Sequence, residues 1–386
     1  MSALNDRIPV TILTGFLGAG KSTLLNRILK DPVMKDAAVI INEFGDVGID
    51  HLLVESSSDS IIELSDGCLC CTVRGELVDT LANLMDAVQT GRVKPVKRVV
   101  IETTGLADPA PVMQAIMGNP VIATNFELDG VVTVVDAVNG LQTLDNHEEA
   151  RKQAAVADRL IVSKKSMTGA TDGLEKRLGA LNPRAVMMDA DSAEAGSAAV
   201  LLNGLYDPAT KIADVGRWLQ DEDSHEAHHH HHDDGDHHGH HHHSHDHDGH
   251  AHQDPHDVNR HDASIRSFSI IEEKPIDPMA LEMFIDLLRS AHGEKLLRMK
   301  AIVSLSDRPD RPLVLHGVQS IFHPPARLPA WPDPTDRRTR MVLITRDLPE
   351  AFVKDLFDAF LGKPRIDMPD RAALSDNPLA IPGMRI

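Results

Sequence analysis

The sequence predicts an α/β architecture in two folded parts. A doubly wound domain on a mostly parallel sheet is expected over residues 1–215, and a small α+β domain over residues 264–386. Three observations predict this. In the first half, continuous apolar runs alternate with helix-length segments, the pattern of a parallel sheet covered on both faces. Residues 221–262 then lose hydrophobic periodicity and become His, Asp and Gly, the composition of a disordered linker. Beyond them, strand patterns return around two amphipathic helices.

Residues 8–13 read as a strand, followed by a glycine-rich loop and a helix whose apolar face is Leu24, Leu25, Ile28 and Leu29. Further strands are expected at 38–41, 98–101, 131–135, 160–162 and 185–188, each a short apolar run. In the second part, 265–271 alternates like a strand, and Leu281, Phe284, Ile285 and Leu288 mark a helix face. Strands follow at 296–305, 313–318 and 340–345, and Phe352, Leu356, Phe357 and Phe360 line a last helix. Met113, Met283 and Met299 fall at apolar positions and read as core filler.

With 386 residues and 42% apolar content, the chain can bury two cores. It opens without an apolar signal core and holds no apolar run of bilayer length, so a cytoplasmic location is expected. The net charge of −19 is unevenly spread: residues 221–262 carry twelve acids and one base, a net −11, which leaves −8 for the rest. No basic cluster stands out, which argues against nucleic acid or an anionic membrane as partner.

Gly15-Phe16-Leu17-Gly18-Ala19-Gly20-Lys21-Ser22 satisfies the Walker A pattern between a strand and a helix. In such a loop, backbone N–H groups around Gly15, Gly18, Ala19 and Gly20 converge on phosphates. Lys21 brings a cation to the β/γ oxygens, Ser22 offers a hydroxyl to Mg²⁺, and Thr23 assists at the α-phosphate. Glu102 ends a predicted strand before Thr103-Thr104-Gly105, which puts a carboxylate and a hinge glycine where a γ-phosphate would lie. The place of a guanine-reading Asn-Lys-x-Asp motif is taken by Ser163-Lys164-Lys165-Ser166. Lys164 can stack on a base, but the base-reading carboxylate is missing, so phosphate binding is better specified than guanine preference.

All three cysteines lie within Cys68-Leu69-Cys70-Cys71. Neighbouring thiols are poorly placed for an unstrained disulfide, whereas three thiolates supply most of a tetrahedral site for a soft metal such as Zn²⁺. Glu43, Asp46, a water or a client ligand would complete it, and a redox pair is the competing reading. Eighteen of the 23 histidines lie between His225 and His261, including His228, His229, His230, His231, His232, His240, His241, His242 and His243. Imidazole suits several transition metals, so this tract predicts capacity for weak metal binding rather than selectivity. The scattered His51, His147, His292, His316 and His323 read as structural.

Together with Asn42-Glu43-Phe44-Gly45, Gly67-Cys68-Leu69-Cys70-Cys71, Glu102-x-x-Gly105 and Val135-Asp136-Ala137, the phosphate loop resembles that of the CobW-like P-loop GTPases. Gln153, Ala157, Asp158, Arg159 and Arg298-Met299-Lys300 extend the resemblance over nearly the whole chain. Ala301 stands where the family has Gly after Arg-x-Lys, and Ser166 departs as described. The resemblance implies a P-loop NTPase domain and a CobW C-terminal-like domain, with Lys21 and Glu102 serving GTP hydrolysis. It implies GTP/GDP and Mg²⁺ as ligands, and Zn²⁺ or Co²⁺ at the Cys-x-Cys-Cys motif. It further implies an apo-metalloprotein client, with room for nucleotide-dependent oligomerisation. A zinc metallochaperone is the favoured expectation; a cobalt-directed GTPase of cobalamin biosynthesis and a non-catalytic metal buffer are the alternatives.

Overall fold

The computed structural model describes residues 7–42, 61–63, 72–169, 171–201 and 265–363. Glu43, Asp46, the three cysteines, the His tract and the proposed linker lie outside the described residues.

Among the described residues, seven strands form the first sheet in the order β3-β2-β4-β1-β5-β6-β7. They are β1 (Ile8–Gly15), β2 (Ala37–Asn42), β3 (Ile61–Glu63), β4 (Arg98–Thr103), β5 (Phe126–Asp136), β6 (Arg159–Ser163) and β7 (Val186–Asp189). Among the described residues every pairing in this sheet is parallel, in line with the mostly parallel sheet expected. The helices between strands are α1 (Lys21–Ile28), α2 (Thr72–Gln89), α3 (Ala110–Gly118), α4 (Pro120–Asn125), α5 (Gly140–Asn146), α6 (Glu148–Ala155) and α7 (Asp172–Leu181).

Parallel strands buried on both faces must be apolar on both, and here alternate residues serve two cores. Val10, Ile12, Ile40, Val99 and Ile101 pack with α2 to α7 through Leu81, Met113, Leu144, Ala154 and Leu178. Leu13, Val39, Ile41 and Val100 turn the other way, onto Leu24, Leu25 and Ile28 of α1 and onto Val200 and Leu201. The strand β5 begins five residues before its predicted start, because its polar interruptions have partners. Glu127 pairs with Arg7 at 3.2 Å, and Asp129 pairs with Arg98 at 2.6 Å.

The second sheet is antiparallel, in the order β11-β10-β9-β13-β8, with β12 on β10. Its strands are β8 (Ile265–Glu272), β9 (Leu296–Val303), β10 (Leu313–Val318), β11 (Ile321–Phe322), β12 (Ala326–Arg327) and β13 (Thr339–Arg346). The helices α8 (Pro278–His292) and α9 (Glu350–Phe360) cover one face, where Phe284, Leu288, Val353 and Phe357 meet Met299, Ala301, Met341 and Leu343. Period-two alternation sends Arg298 and Lys300 of β9 to the opposite face. That face lies against the first domain, and Leu297, Val318 and Ile344 join the core cluster of the parallel sheet. Met113 and Met299 are buried as expected, but Met283 is 52% exposed, since the adjacent Phe284 takes the inward position on α8.

Candidate functional site

The loop Gly15 to Gly20 leaves the carboxyl end of β1, the central strand, and runs into α1. The ends of β4, β5 and β6 flank it, the place where open α/β sheets hold ligands. Lys21 is the first residue of α1 and is buried; its Nζ donates to the carbonyls of Gly15 at 3.0 Å and Phe16 at 3.4 Å. Its cation therefore lies inside the loop that would cradle phosphates. Ser22 Oγ donates to Glu102 Oε1 at 2.8 Å, so the predicted hydroxyl and carboxylate meet across 80 residues of sequence. Thr23 is exposed one position further along.

Glu102 is buried at the end of β4, where Leu13 of β1 is its neighbour in register. Thr103 Oγ1 donates to Thr14 Oγ1 at 2.8 Å, which fixes the two strand ends together. Gly105 packs directly on the phosphate loop: a Cβ there would lie 2.6 Å from the Leu17 amide nitrogen, closer than any side chain is tolerated. Only glycine allows this approach of the two loops.

Ser163 and Lys164 attach to the phosphate loop rather than standing apart from it. Ser163 Oγ, which is buried, donates to the Ala19 carbonyl at 2.6 Å, and Lys164 Nζ donates to Gly18 O at 2.8 Å and to Asp136 at 2.7 Å. Lys164 holds φ at 58°, a conformation that non-glycine residues seldom adopt and that marks a constrained position. Burial alone would raise the Asp136 carboxyl, but the bond from Lys164, with the Val138 amide and Asn139, holds it below the usual carboxylate value. Asp136 thus fixes the Lys164 ammonium in place, a role that the sequence had not assigned to it.

In the sequence Gln153 stands out only through the family resemblance, which assigns it no contact. The structure shows it fully buried, with Nε2 donating to Gly105 O at 3.1 Å and Ala107 O at 2.9 Å. His147 rests on the Phe16 ring of the phosphate loop, 4.4 Å between centroids, and His316 and His323 are buried. Among the described residues no group of three His, Cys, Asp or Glu side chains could hold a metal ion, and no helix is long and apolar enough to cross a membrane.

Comparison with known proteins agrees with this fold. The CobW/HypB/UreG nucleotide-binding domain matches residues 9–189, and the cobalamin synthesis protein cobW C-terminal domain matches residues 265–361. The zinc chaperone YjiA of Escherichia coli is 30% identical over 351 residues, covering 91% of this chain and 98% of that protein. The zinc chaperone CobW of Sinorhizobium sp is also 30% identical, covering 93% and 99%. The crystal structure of Zn(II)-bound YjiA GTPase from E. coli superposes with a TM-score of 0.61 at 25% identity, over 92% of this chain and 99% of that one. With both domain types present in order and relatives matched over nearly their whole length, the chain belongs to the CobW family of P-loop GTPases.

Proposed function

We propose that this protein is a GTP-hydrolysing metallochaperone that takes up Zn²⁺ through Cys68, Cys70 and Cys71 and passes it to an apo-protein client under nucleotide control. The observation that carries the nucleotide half is the Ser22–Glu102 contact of 2.8 Å beside Lys21, a phosphate-loop cation and a hard-oxygen pair converging at one sheet end. That donor set suits Mg²⁺, which prefers oxygen ligands and phosphate partners; Ser22 would bind it directly and Glu102 through water. When bound, Mg²⁺ would supply charge neutralisation between the β- and γ-phosphates. The chain's own residues orient the substrate: backbone N–H groups of residues 15–20 would hold the phosphates, Lys21 the β/γ oxygens, and Lys164 the base.

The metal half rests on three thiols in four positions and on relatives named zinc chaperones. Zinc here is cargo, and a three-thiolate site with Glu43 or Asp46 as an exchangeable fourth ligand would let it leave for a client. We place the protein in the cytoplasm, where such thiols stay reduced.

Three measurements test this reading. Replacing Lys21 by Met is expected to weaken GDP binding by about 10- to 100-fold, the scale of a lost charge-assisted phosphate contact. Titration of Zn²⁺ and Co²⁺ against a chelator, with GDP or a non-hydrolysable GTP analogue, should show one tight site that shifts with nucleotide. Replacing Cys68, Cys70 and Cys71 by Ser should abolish it. Metal affinity indifferent to both nucleotide and thiols would sink the chaperone reading, and single-turnover hydrolysis unaffected by metal would sink the coupling of hydrolysis to delivery.

A further inference from the structure

The helix α6 touches both the loop that follows Glu102 and the C-terminal domain, and each contact is a specific polar one. On the nucleotide side, the Gln153 amide donates to the carbonyls of Gly105 and Ala107, straddling Leu106. Lys152 pairs with Asp108 of the same loop at 3.3 Å. The main-chain carbonyl of Gln153 accepts a single hydrogen bond from Thr133 Oγ1 of β5 at 2.7 Å. On the other side, Glu148 at the start of α6 pairs with Arg346 of β13. Just beyond its end, the Val156 carbonyl accepts from Arg298, and Asp158 pairs with Arg298 at 2.7 Å and with Lys300.

We propose that Gln153 is a positioning residue that holds the Gly105–Asp108 loop and that α6 couples the state of this loop to the docking of the C-terminal domain. This rests on the nucleotide half of the function proposed above and adds a route that the function does not require. Gly105 cannot follow any movement of the phosphate loop independently, because its backbone lies against Leu17. A change at the γ-phosphate position therefore moves the Gly105 and Ala107 carbonyls, and both pull on the same amide. Room for that movement exists. A cavity of about 250 Å³ lies between Phe16, Leu17, the end of β5 and α5, with Gln153 in its wall. The Gln153 Oε1 is buried and meets no donor among the described residues. Buried amides seldom leave an oxygen unmatched, which suits a side chain with two alternative arrangements rather than one locked position. The start of the helix and the turn just beyond its end are both tied to the C-terminal domain, so a shift at Gln153 reaches Glu148, Val156 and Asp158.

Coupling of this kind is reciprocal, so ties on the C-terminal side must bias nucleotide preference. The experiment measures the affinity ratio for a non-hydrolysable GTP analogue over GDP in the full chain. The variants are Lys300→Met, Arg346→Ala, Gln153→Leu and the double variant Gln153→Leu/Lys300→Met. Lys300 and Arg346 are 23% and 31% exposed and lie in the C-terminal domain, so their replacement tests the route without disturbing the nucleotide site or the cores. The expected result is a change in the ratio of about fivefold or more in Gln153→Leu and Lys300→Met, the lower end of measured allosteric couplings. A smaller change in the same direction is expected in Arg346→Ala, whose ion pair is partly exposed. The double variant should go no further than Gln153→Leu alone. Unchanged ratios in Lys300→Met and Arg346→Ala, or additive effects in the double variant, would overturn the proposal. Failure of the wild type to bind nucleotide would instead overturn the GTPase reading beneath it. If Gln153→Leu does not fold, the two C-terminal variants decide alone.

Discussion

Replacing Asp158 by alanine is expected to lower the unfolding free energy by about 3–5 kcal/mol, the usual cost of removing one partner of a buried ion pair. Asp158 is 10% exposed and Arg298 only 2%, so the guanidinium left behind would have no acid and little water. Arg298 would keep the Val156 carbonyl and His316, at 3.3 Å, but both are neutral acceptors. Burial alone would raise the Asp158 carboxyl; Arg298 and Lys300, with the Val131 amide, outweigh it and hold the group far below its ordinary value of 3.8. A depressed carboxylate stabilises the fold above its unfolded value and loses that contribution only as pH falls through the folded one. The gap between wild type and Asp158→Ala should therefore be flat from pH 8 to about pH 5 and narrow only below about pH 4. His316 adds a separate slope. Burial, then Arg298 and Lys300, keep it neutral well below 6.5, so beneath that pH the unfolded chain binds a proton that the folded chain does not, and stability falls in both proteins. Urea unfolding at several pH values checks each part. A loss under about 1 kcal/mol at pH 7 would show that the domains dock through their apolar contacts alone.

That interface marks the limit of what could be read from the chain. The strands β1, β4 and β6 and the phosphate loop were legible because each is a local pattern: an apolar run, a strand end, or glycines at fixed spacing before Lys21 and Ser22. The early start of β5 was not, because Glu127 and Asp129 look like a loop until Arg7 and Arg98 are brought to them by the fold. The same applies to Arg298 and Lys300. In sequence they interrupt an apolar strand, and only the sheet's alternation and the position of Asp158, some 140 residues earlier, explain two cations on one buried face. Gln153 is the clearest case within the site. The resemblance singled the residue out, yet nothing local could show that its amide reaches back to Gly105 and Ala107. Ser163 and Lys164 were placed at the nucleotide by their strand-end position, and the structure adds that both grip the carbonyls of Ala19 and Gly18. Local patterns thus nominate the groups proposed to touch phosphate, while the groups that hold those side chains in place depend on partners distant in sequence.

The second large effect is expected at Gly15. A Cβ built there would lie 2.3 Å from the Val134 carbonyl oxygen and 3.0 Å from its amide nitrogen, and both are backbone atoms of β5, beside β1 in the sheet's interior. No rotamer change can relieve such a contact. Gly15 also holds φ at +145°, a region that side chains rarely enter. For Gly15→Ala, strain of about 1–3 kcal/mol is the smaller part of the cost. The larger part is that either β5 moves, which disturbs Val132 and Val134 in the second core, or the loop lifts from the sheet. Lifting the loop carries Lys21 with it, because Nζ is anchored on the Gly15 carbonyl at 3.0 Å. It also separates Leu17 from Gly105, whose backbones lie in close contact. The expected outcome is a fall in Tm of about 10 °C, corresponding to roughly 4 kcal/mol for a domain of this size, together with loss of measurable GDP binding. Calorimetry and titration with a fluorescent GDP derivative measure the two effects separately. A normal Tm with lost binding would mean that the loop yields and the sheet does not. A lowered Tm with binding intact would show that phosphate contacts survive without the β1–β5 register, which the anchoring of Lys21 on Gly15 argues against.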